Sequence, residues 1–514
     1  MASVGPSLCA MSTLNPERSQ VLWLGAPPHS EHRAELANRG LAVCEVDPGD
    51  LEKVPFDYRF VRGLVICAMP PKVPAAKRAL GGVAIALDHG LQILVLVGDS
   101  VAHAFVQGCI DKAVTAGPAR ERIRYRLGAK PHEVAEVFAR CAPGPAIHTA
   151  LKIEAPGGMN LTVKQEFLLR RAFSDCSAIH LTELSGGRSA LTLSVQATLS
   201  NSLAGPHPLP FFAKLDRAAL IAAEQACYER YAETHIAWYL RPNLQPARCL
   251  IGADTGILVG SFVPKSESLW TLVVQGRAET AIQSLFTETL AGWRTAHAST
   301  QMEHGSIAPS LADVFKPINV RKRYVKAAAS LGFVHDPQEI WEAFLNLPTR
   351  CWPKAPIHGD MHAENVRVRG SDAIIIDLAK ATMGPLAADP ASLEVWIAFQ
   401  TPPQGFEIEP VEWLQTVQAL FSYPLVVEPD PSNIGAGTKW LRDGVIHARR
   451  IALASSVPVD YAITLALFLL RRATFEPDAI APIDDEYRRT WAWVLGCQLL
   501  RTIQKTECQY EEAA

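Results

Sequence analysis

The segment His358-Gly359-Asp360-Met361-His362-Ala363-Glu364-Asn365 is followed by a β-prone run, Val366 to Arg369, a polar break at Gly370-Ser371-Asp372, and a second run, Ala373 to Ile376, ending in Asp377. Two short β runs around a three-residue polar break predict a hairpin. With its turn centred on Ser371, Asn365 and Asp377 are symmetric and face each other where the strands open. Directly opposed residues hold their Cβ atoms about 4.5–5.5 Å apart, so an amide oxygen and a carboxylate can bracket one divalent ion. Mg²⁺ suits such sparse oxygen ligation, because it keeps several waters and takes other ligands from substrate phosphates. Asp360, outside the ladder, then projects from the loop beside the metal, where an attacking hydroxyl can hand it a proton. That division of labour is the one used in phosphoryl transfer from ATP. Taken singly these residues read as a loop cap, a turn residue and a strand-end carboxylate; taken together they read as a catalytic loop. His362 is expected to be a hydrogen-bonding residue of the loop, since the candidate ligands are oxygens.

Such chemistry demands a glycine turn over the phosphates, a strand lysine and a helix glutamate upstream. Ser185-Gly186-Gly187-Arg188-Ser189 separates two β-prone runs, Ile179 to Leu184 and Leu191 to Ala197, and its small residues let backbone N–H groups approach phosphate. A plain hairpin turn is the alternative. Lys214 closes the apolar run from Leu209, and an ammonium there needs a carboxylate. On the following helix, Leu220, Glu224, Cys227 and Tyr231 share one stripe whereas Glu229 points away, so Glu224 is expected to pair with Lys214. The strand from Ile257 to Val263 is expected to lead into a hinge, with the backbone of Ser261 and Phe262 meeting adenine.

These residues resemble the aminoglycoside phosphotransferase and choline-kinase-like superfamily of small-molecule kinases. The likeness runs from about Leu161 to the C-terminus and rests on Leu184 to Arg188, Lys214, Glu224, His358-Gly359-Asp360 with Asn365, Ile376-Asp377, Gly384-Pro385 and Asp389-Pro390-Ala391. The resemblance implies a bilobal, protein-kinase-like α+β fold with a mostly helical second lobe. It also implies Asp360 as catalytic base, Asn365 and Asp377 as magnesium ligands, and Lys214 on the nucleotide phosphates. A narrower similarity, to bacterial ternary-complex-associated kinase-like domains, rests on Arg170-Arg171-Ala172-Phe173, Leu393-Glu394 and the Leu465 to Arg472 helix. Leu378-Ala379-Lys380 follows Asp377 with no Asp-Phe-Gly, so a eukaryotic-type activation loop is not expected.

The elements that must carry this site lie in a chain of 514 residues, which is long enough for two or three domains. Its 48% apolar and 20% charged residues are ordinary globular values, and its net charge of −3 offers no global basic field for nucleic acid or anionic membrane. Eleven scattered cysteines read as buried thiols of a reducing compartment. Residues 1–20 carry no basic and apolar pattern of a secretory signal and read as a flexible leader, so a cytoplasmic protein is expected.

Residues 21–142 alternate short β-branched runs with helix-period segments and predict a doubly wound parallel sheet of flavodoxin-like order. Lys130-Pro131 after the fifth run resembles a bacterial receiver domain. The receiver's carboxylates are missing, because Ile66-Cys67-Ala68 and Gly25-Ala26-Pro27-Pro28 stand in their places. A docking domain without phosphoacceptor follows, with a protein partner expected there. A Pro- and Gly-rich linker covers 143–160, a kinase-like first lobe 161–263 and a helical second lobe 264–514.

The sequence thus predicts an ATP- and Mg²⁺-dependent phosphotransferase acting on a hydroxyl of a small molecule or protein, in a bacterial signalling or conflict system. The alternative is a nucleotide-binding pseudokinase that scaffolds a signalling complex. From Ile397 to Ala514, 15 acids stand against 10 bases, a surplus that tolerates a cationic acceptor without specifying one.

Overall fold

The computed structural model describes residues 18–47, 57–67, 82–98, 100–113, 117–140, 142–157, 159–184, 190–200, 208–261, 263, 265–298, 301–425, 435–477 and 481–513. The chain divides into two compact units, one of Met1–Gln225 with Asn243–Phe262, the other of Ala226–Pro242 with Val263–Ala514.

The first unit contains two sheets. Strands β1 (Gln20–Gly25), β2 (Ala42–Glu45), β3 (Val61–Cys67), β4 (Gln92–Val97) and β5 (Ile123–Leu127) form a parallel sheet in the order β2-β1-β3-β4-β5, the flavodoxin-like order. Its apolar residues alternate between two buried faces. Leu22, Leu64, Ile93 and Val95 pack with Val83, Leu87 and Ile110 on one side, and Val21, Trp23, Val65 and Leu94 pack with Leu36, Val134 and Phe138 on the other. Burial by helices on both faces is why these strands read as continuous apolar runs. Gly63 is required here, because a Cβ would stand 2.2 Å from the Phe138 ring.

The second sheet of this unit follows the order β10-β11-β9-β8-β7-β6. Its strands are β6 (Lys152–Glu154), β7 (Cys176–Glu183), β8 (Leu191–Leu199), β9 (Leu209–Arg217), β10 (Leu250–Ile251) and β11 (Thr255–Ser261). Helix Val163–Ala172 starts in a reciprocal cap between Thr162 and Gln165. It buries Leu168, Leu169 and Ala172 against Ile179, Leu193 and Val195. The stretch expected as a linker contains β6, which pairs in parallel with β7. Two consecutive arginines fasten that stretch. Arg170 Nη1 donates to the carbonyls of Thr149 (3.0 Å) and Leu151 (2.7 Å), and Arg171 donates from Nε to Pro145 O (3.0 Å) and from Nη2 to Pro143 O (3.2 Å).

The second unit is mainly helical. Strands β12 (Glu267–Ser268), β15 (Val366–Arg369) and β16 (Asp372–Ile375) make one small sheet, and β13 (Met302–Gly305), β14 (Arg350–Ile357) and β17 (Thr382–Pro385) another. Around them stand helices Ala388–Phe399, Lys439–Leu453, Pro458–Arg472 and Pro482–Ala513. Glu394, fully buried, pairs with Arg449 and accepts the Tyr461 hydroxyl, while Arg449 Nη2 also donates to Leu420 O at 2.6 Å. A buried carboxylate is tolerated only with such partners.

The cysteines are less buried than expected. Among the described residues Cys176 and Cys497 are buried, Cys44, Cys67, Cys227 and Cys249 are half-buried and Cys351 is exposed, all as free thiols. No helix of the described residues is long and apolar enough to cross a membrane.

Candidate active site

The hairpin of Asn365 and Asp377 exists, with a register one residue away from the expected one. Val366 pairs with Ile375 and Arg369 with Asp372, so the turn is Gly370-Ser371 alone. Gly370 takes φ +64°, and a glycine-first, two-residue turn matches the twist of a hairpin better than a longer break. The residue opposite Asn365 is therefore Ile376, whose N–H donates to Asn365 O at 2.9 Å. Asp377 lies one position beyond and is turned by its own backbone, at φ +59°. A left-handed aspartate is uncommon and concentrates at functional sites.

Buried hydrogen bonds tie the loop to this hairpin. Asp389, in the first turn of helix Ala388–Phe399, accepts the N–H of His358 on both oxygens (3.0 and 2.8 Å) and that of Gly359 on Oδ1 (3.2 Å). Burial pushes the Asp389 carboxyl up, and the neighbouring His358 and these N–H donors oppose the rise. His358 Nε2 lies 2.9 Å from Ile376 O, joining the loop to the end of β16. Gly359, at φ +73°, leaves no room for a Cβ, which would approach Lys380 O at 2.4 Å.

Within this frame Asn365 is oriented. Its Nδ2 donates to Asp360 O at 3.1 Å, which leaves Oδ1 as the acceptor end of the amide. Asn365 Oδ1 and the Asp377 carboxylate are hard oxygen donors of the kind Mg²⁺ takes. His362 departs from expectation, since its backbone carbonyl, accepting Asn365 N–H at 2.9 Å, bonds the loop, while its ring forms no hydrogen bond among the described residues. That ring stacks on Trp396 with centroids 5.4 Å apart, and burial pushes its pKa down to about 4, so it is neutral at pH 7.

Asp360 keeps 39% of its side chain exposed and has a partner that nothing near it in sequence announces. Arg471 Nη2, from the last turn of helix Pro458–Arg472, donates to Asp360 Oδ1 at 2.8 Å. Burial works to raise the carboxyl, but the Arg471 guanidinium and the two nearby histidines outweigh it and hold the group below the usual range. Asp360 is therefore ionised at neutral pH. No hydrogen bond to its Oδ2 is formed among the described residues.

In the first unit, Lys214 Nζ lies 2.8 Å from Glu224 Oε2, with side chains 13% and 7% exposed. Lys214 is inside β9 and not at its end, paired with Thr192 of β8 and Leu258 of β11. It stands on the face opposite buried Phe211, Ala213 and Leu215. The helical stripe differs from the expected one. Leu220 is 39% exposed, whereas Ile221 is fully buried three residues before Glu224. The buried partner of Glu224 on the stripe is thus the residue three before it and not the one four before it, and the helix turns π-type only beyond it, at Tyr228–Ala232. Ser261 ends β11, its Oγ accepting Asn243 N–H at 3.0 Å. Ser185, Gly186, Gly187, Arg188, Ser189 and Phe262 lie outside the described residues.

Sequence reasoning attached Asp389 to a motif without seeing its work. The signal was available, because a lone carboxylate opening an apolar, buried helix must find N–H partners. Arg471 had no local signal, being 111 residues from Asp360.

A model of the phosphotransferase enzyme family matches residues 183–411. The matched span runs from the end of β7 through the Asp360 loop and Asp389. Among solved structures, a glucosamine kinase in complex with glucosamine, ADP and inorganic phosphate is similar at 15% identity over 63% of this chain and 93% of its own, with TM-score 0.33. A choline kinase from Cryptosporidium parvum Iowa II is similar at 10% identity over 64% and 90%, with TM-score 0.33. An aminoglycoside phosphotransferase from Streptomyces rimosus is similar at 15% identity over 55% and 96%, with TM-score 0.28. No curated protein matches the chain.

Proposed function

We propose that the protein is an ATP- and Mg²⁺-dependent phosphotransferase that moves the γ-phosphate to an alcohol. The observation that carries this reading is the Asp360 carboxylate, with Oδ1 on Arg471 and Oδ2 unbonded among the described residues, in a loop whose Asn365 is tied to it. In this reading the acceptor oxygen bonds to the γ-phosphorus, the bond from that phosphorus to the β–γ bridging oxygen breaks, ADP leaves, and the hydroxyl proton passes to Asp360 Oδ2. Mg²⁺, when bound by Asn365 and Asp377 together with nucleotide phosphates, neutralises their charge. Lys214, oriented by Glu224, contacts phosphate, with Ser185 to Ser189 as the phosphate turn and Ser261 and Phe262 beside adenine. Positioning and charge supply most of the rate.

The five-stranded domain is read as a receiver-like module without phosphoacceptor that docks a protein partner. The setting is a cytoplasmic, bacterial signalling or conflict system, of the kind served by ternary-complex-associated domains. In a thermal-shift titration with Mg²⁺ and ATP followed by an ADP-release assay, the wild type is expected to bind and turn over nucleotide. Asp360→Ala is expected to bind it with turnover reduced by about 10³-fold or more, and Asp377→Ala to lose the Mg²⁺ dependence of binding. Unchanged turnover in Asp360→Ala would reject the base, and Mg²⁺·ATP binding without turnover in the wild type would favour the pseudokinase scaffold.

A further inference from the structure

If Asp360 is the base, whatever enters to be phosphorylated must lie against Arg471, and this charge has a consequence for the acceptor. The guanidinium carries five N–H donors in a planar fork. One goes to Asp360 Oδ1 at 2.8 Å, and the guanidinium forms no other hydrogen bond among the described residues. The group is fixed in place. Its carbon lies 5.9 Å from the Phe468 ring centroid and 5.3 Å from that of Phe475, so two aromatic faces hold the cation while the side chain stays 14% exposed. The carboxylate oxygen left for the acceptor hydroxyl and the donors left on the arginine therefore flank one approach.

A permanently charged arginine beside the reacting hydroxyl repels an ammonium and offers a bidentate seat to a carboxylate, phosphate or sulfate. The acid surplus of the C-terminal stretch, 15 against 10, does not alter this, because its buried members are already committed. Asp485 pairs with Arg489, and Asp460 lies 3.7 Å from Arg350.

We infer that the acceptor is an alcohol bearing an anionic group near the hydroxyl that is phosphorylated, and that Arg471 is the residue that selects it. This rests on the phosphotransferase reading and narrows its substrate class. Arg471 acts by binding the acceptor.

The test uses the full chain with Mg²⁺·ATP and three sets of small alcohols. These are glycerate and glycerol 3-phosphate, glycerol and glucose, and choline and ethanolamine. ADP release and acceptor KM are measured for wild type, Arg471→Gln and Arg471→Lys, with melting curves to confirm folding. The wild type is expected to use the anionic set at least tenfold better than the cationic set in kcat/KM. Arg471→Gln is expected to bring that ratio below threefold, chiefly through KM, and Arg471→Lys to retain part of the preference. Bound nucleotide with no advantage for the anionic set, or a preference unchanged in a folded Arg471→Gln, would overturn the inference and leave the phosphotransferase reading standing. Failure of the wild type to bind Mg²⁺·ATP would overturn both.

Discussion

At the scale of single residues, the candidate site is held by one side chain that touches no substrate in the proposed reaction. Asp389 gathers two consecutive backbone N–H groups, those of His358 and Gly359, and so sets where Asp360 leaves the chain. Asp389→Ala strands both donors in a buried position, each costing about 1–3 kcal/mol. The variant is expected to melt several degrees lower and to lose turnover at least 100-fold, with Asp389→Asn between it and wild type; an equal loss of stability with turnover intact would show that the loop does not depend on this anchor. Residue identities of this kind were legible from chemistry, because Lys214 does meet Glu224 and Asn365 does orient beside Asp360. Their register was not. Whether a turn spans two residues or three is decided by local φ at Gly370, and one residue of slip reverses the face of every side chain in the strand. Asp377 escapes that reversal by leaving the ladder in a left-handed conformation, which no spacing rule discloses.

At the scale of elements, the stretch between the two sheets of the first unit shows how little a Pro- and Gly-rich composition says about attachment. Pro143 and Pro145 lack N–H groups, so their neighbours cannot all close ladder bonds, and the exposed carbonyls need outside donors. Arg170 and Arg171 supply them from one helix, and β6 exists because β7 offers it an edge. A three-residue strand has too few residues to show an alternation, so it is invisible without its partner. Arg171→Met keeps much of the bulk and removes the donors to the Pro143 and Pro145 carbonyls. The expected result is a loss of about 2–4 kcal/mol in urea unfolding and new proteolytic cleavage between Pro143 and Leu151. A wild-type cleavage pattern in a destabilised Arg171→Met would mean that Arg170 and β6 hold the stretch without Arg171.

At the scale of the whole molecule, the five-stranded and six-stranded sheets fall into one compact unit despite reading as separate domains in sequence. His89 sits where they meet. Its ring stacks on Tyr58 at 4.1 Å and meets the edge of Phe167, from helix Val163–Ala172, at 4.7 Å. Burial first, and then the Arg171 and Arg18 charges, push its pKa from 6.5 down to about 3. The folded state thus refuses a proton that the unfolded chain accepts. Unfolded chains bind more protons below pH 6.5, so stability falls with acidification, by about 1.4 kcal/mol per pH unit from this histidine alone, until the folded pKa is reached. Above pH 6.5 both states are neutral and the group adds no pH dependence. Replacing it by phenylalanine keeps the ring contacts and removes the proton site. In denaturant titrations of the full chain at pH 7.5 and pH 5, the His89→Phe variant is expected to lose about 2 kcal/mol less than wild type in the transition of this unit; equal losses would place the acid sensitivity elsewhere and deny His89 a neutral, buried seat.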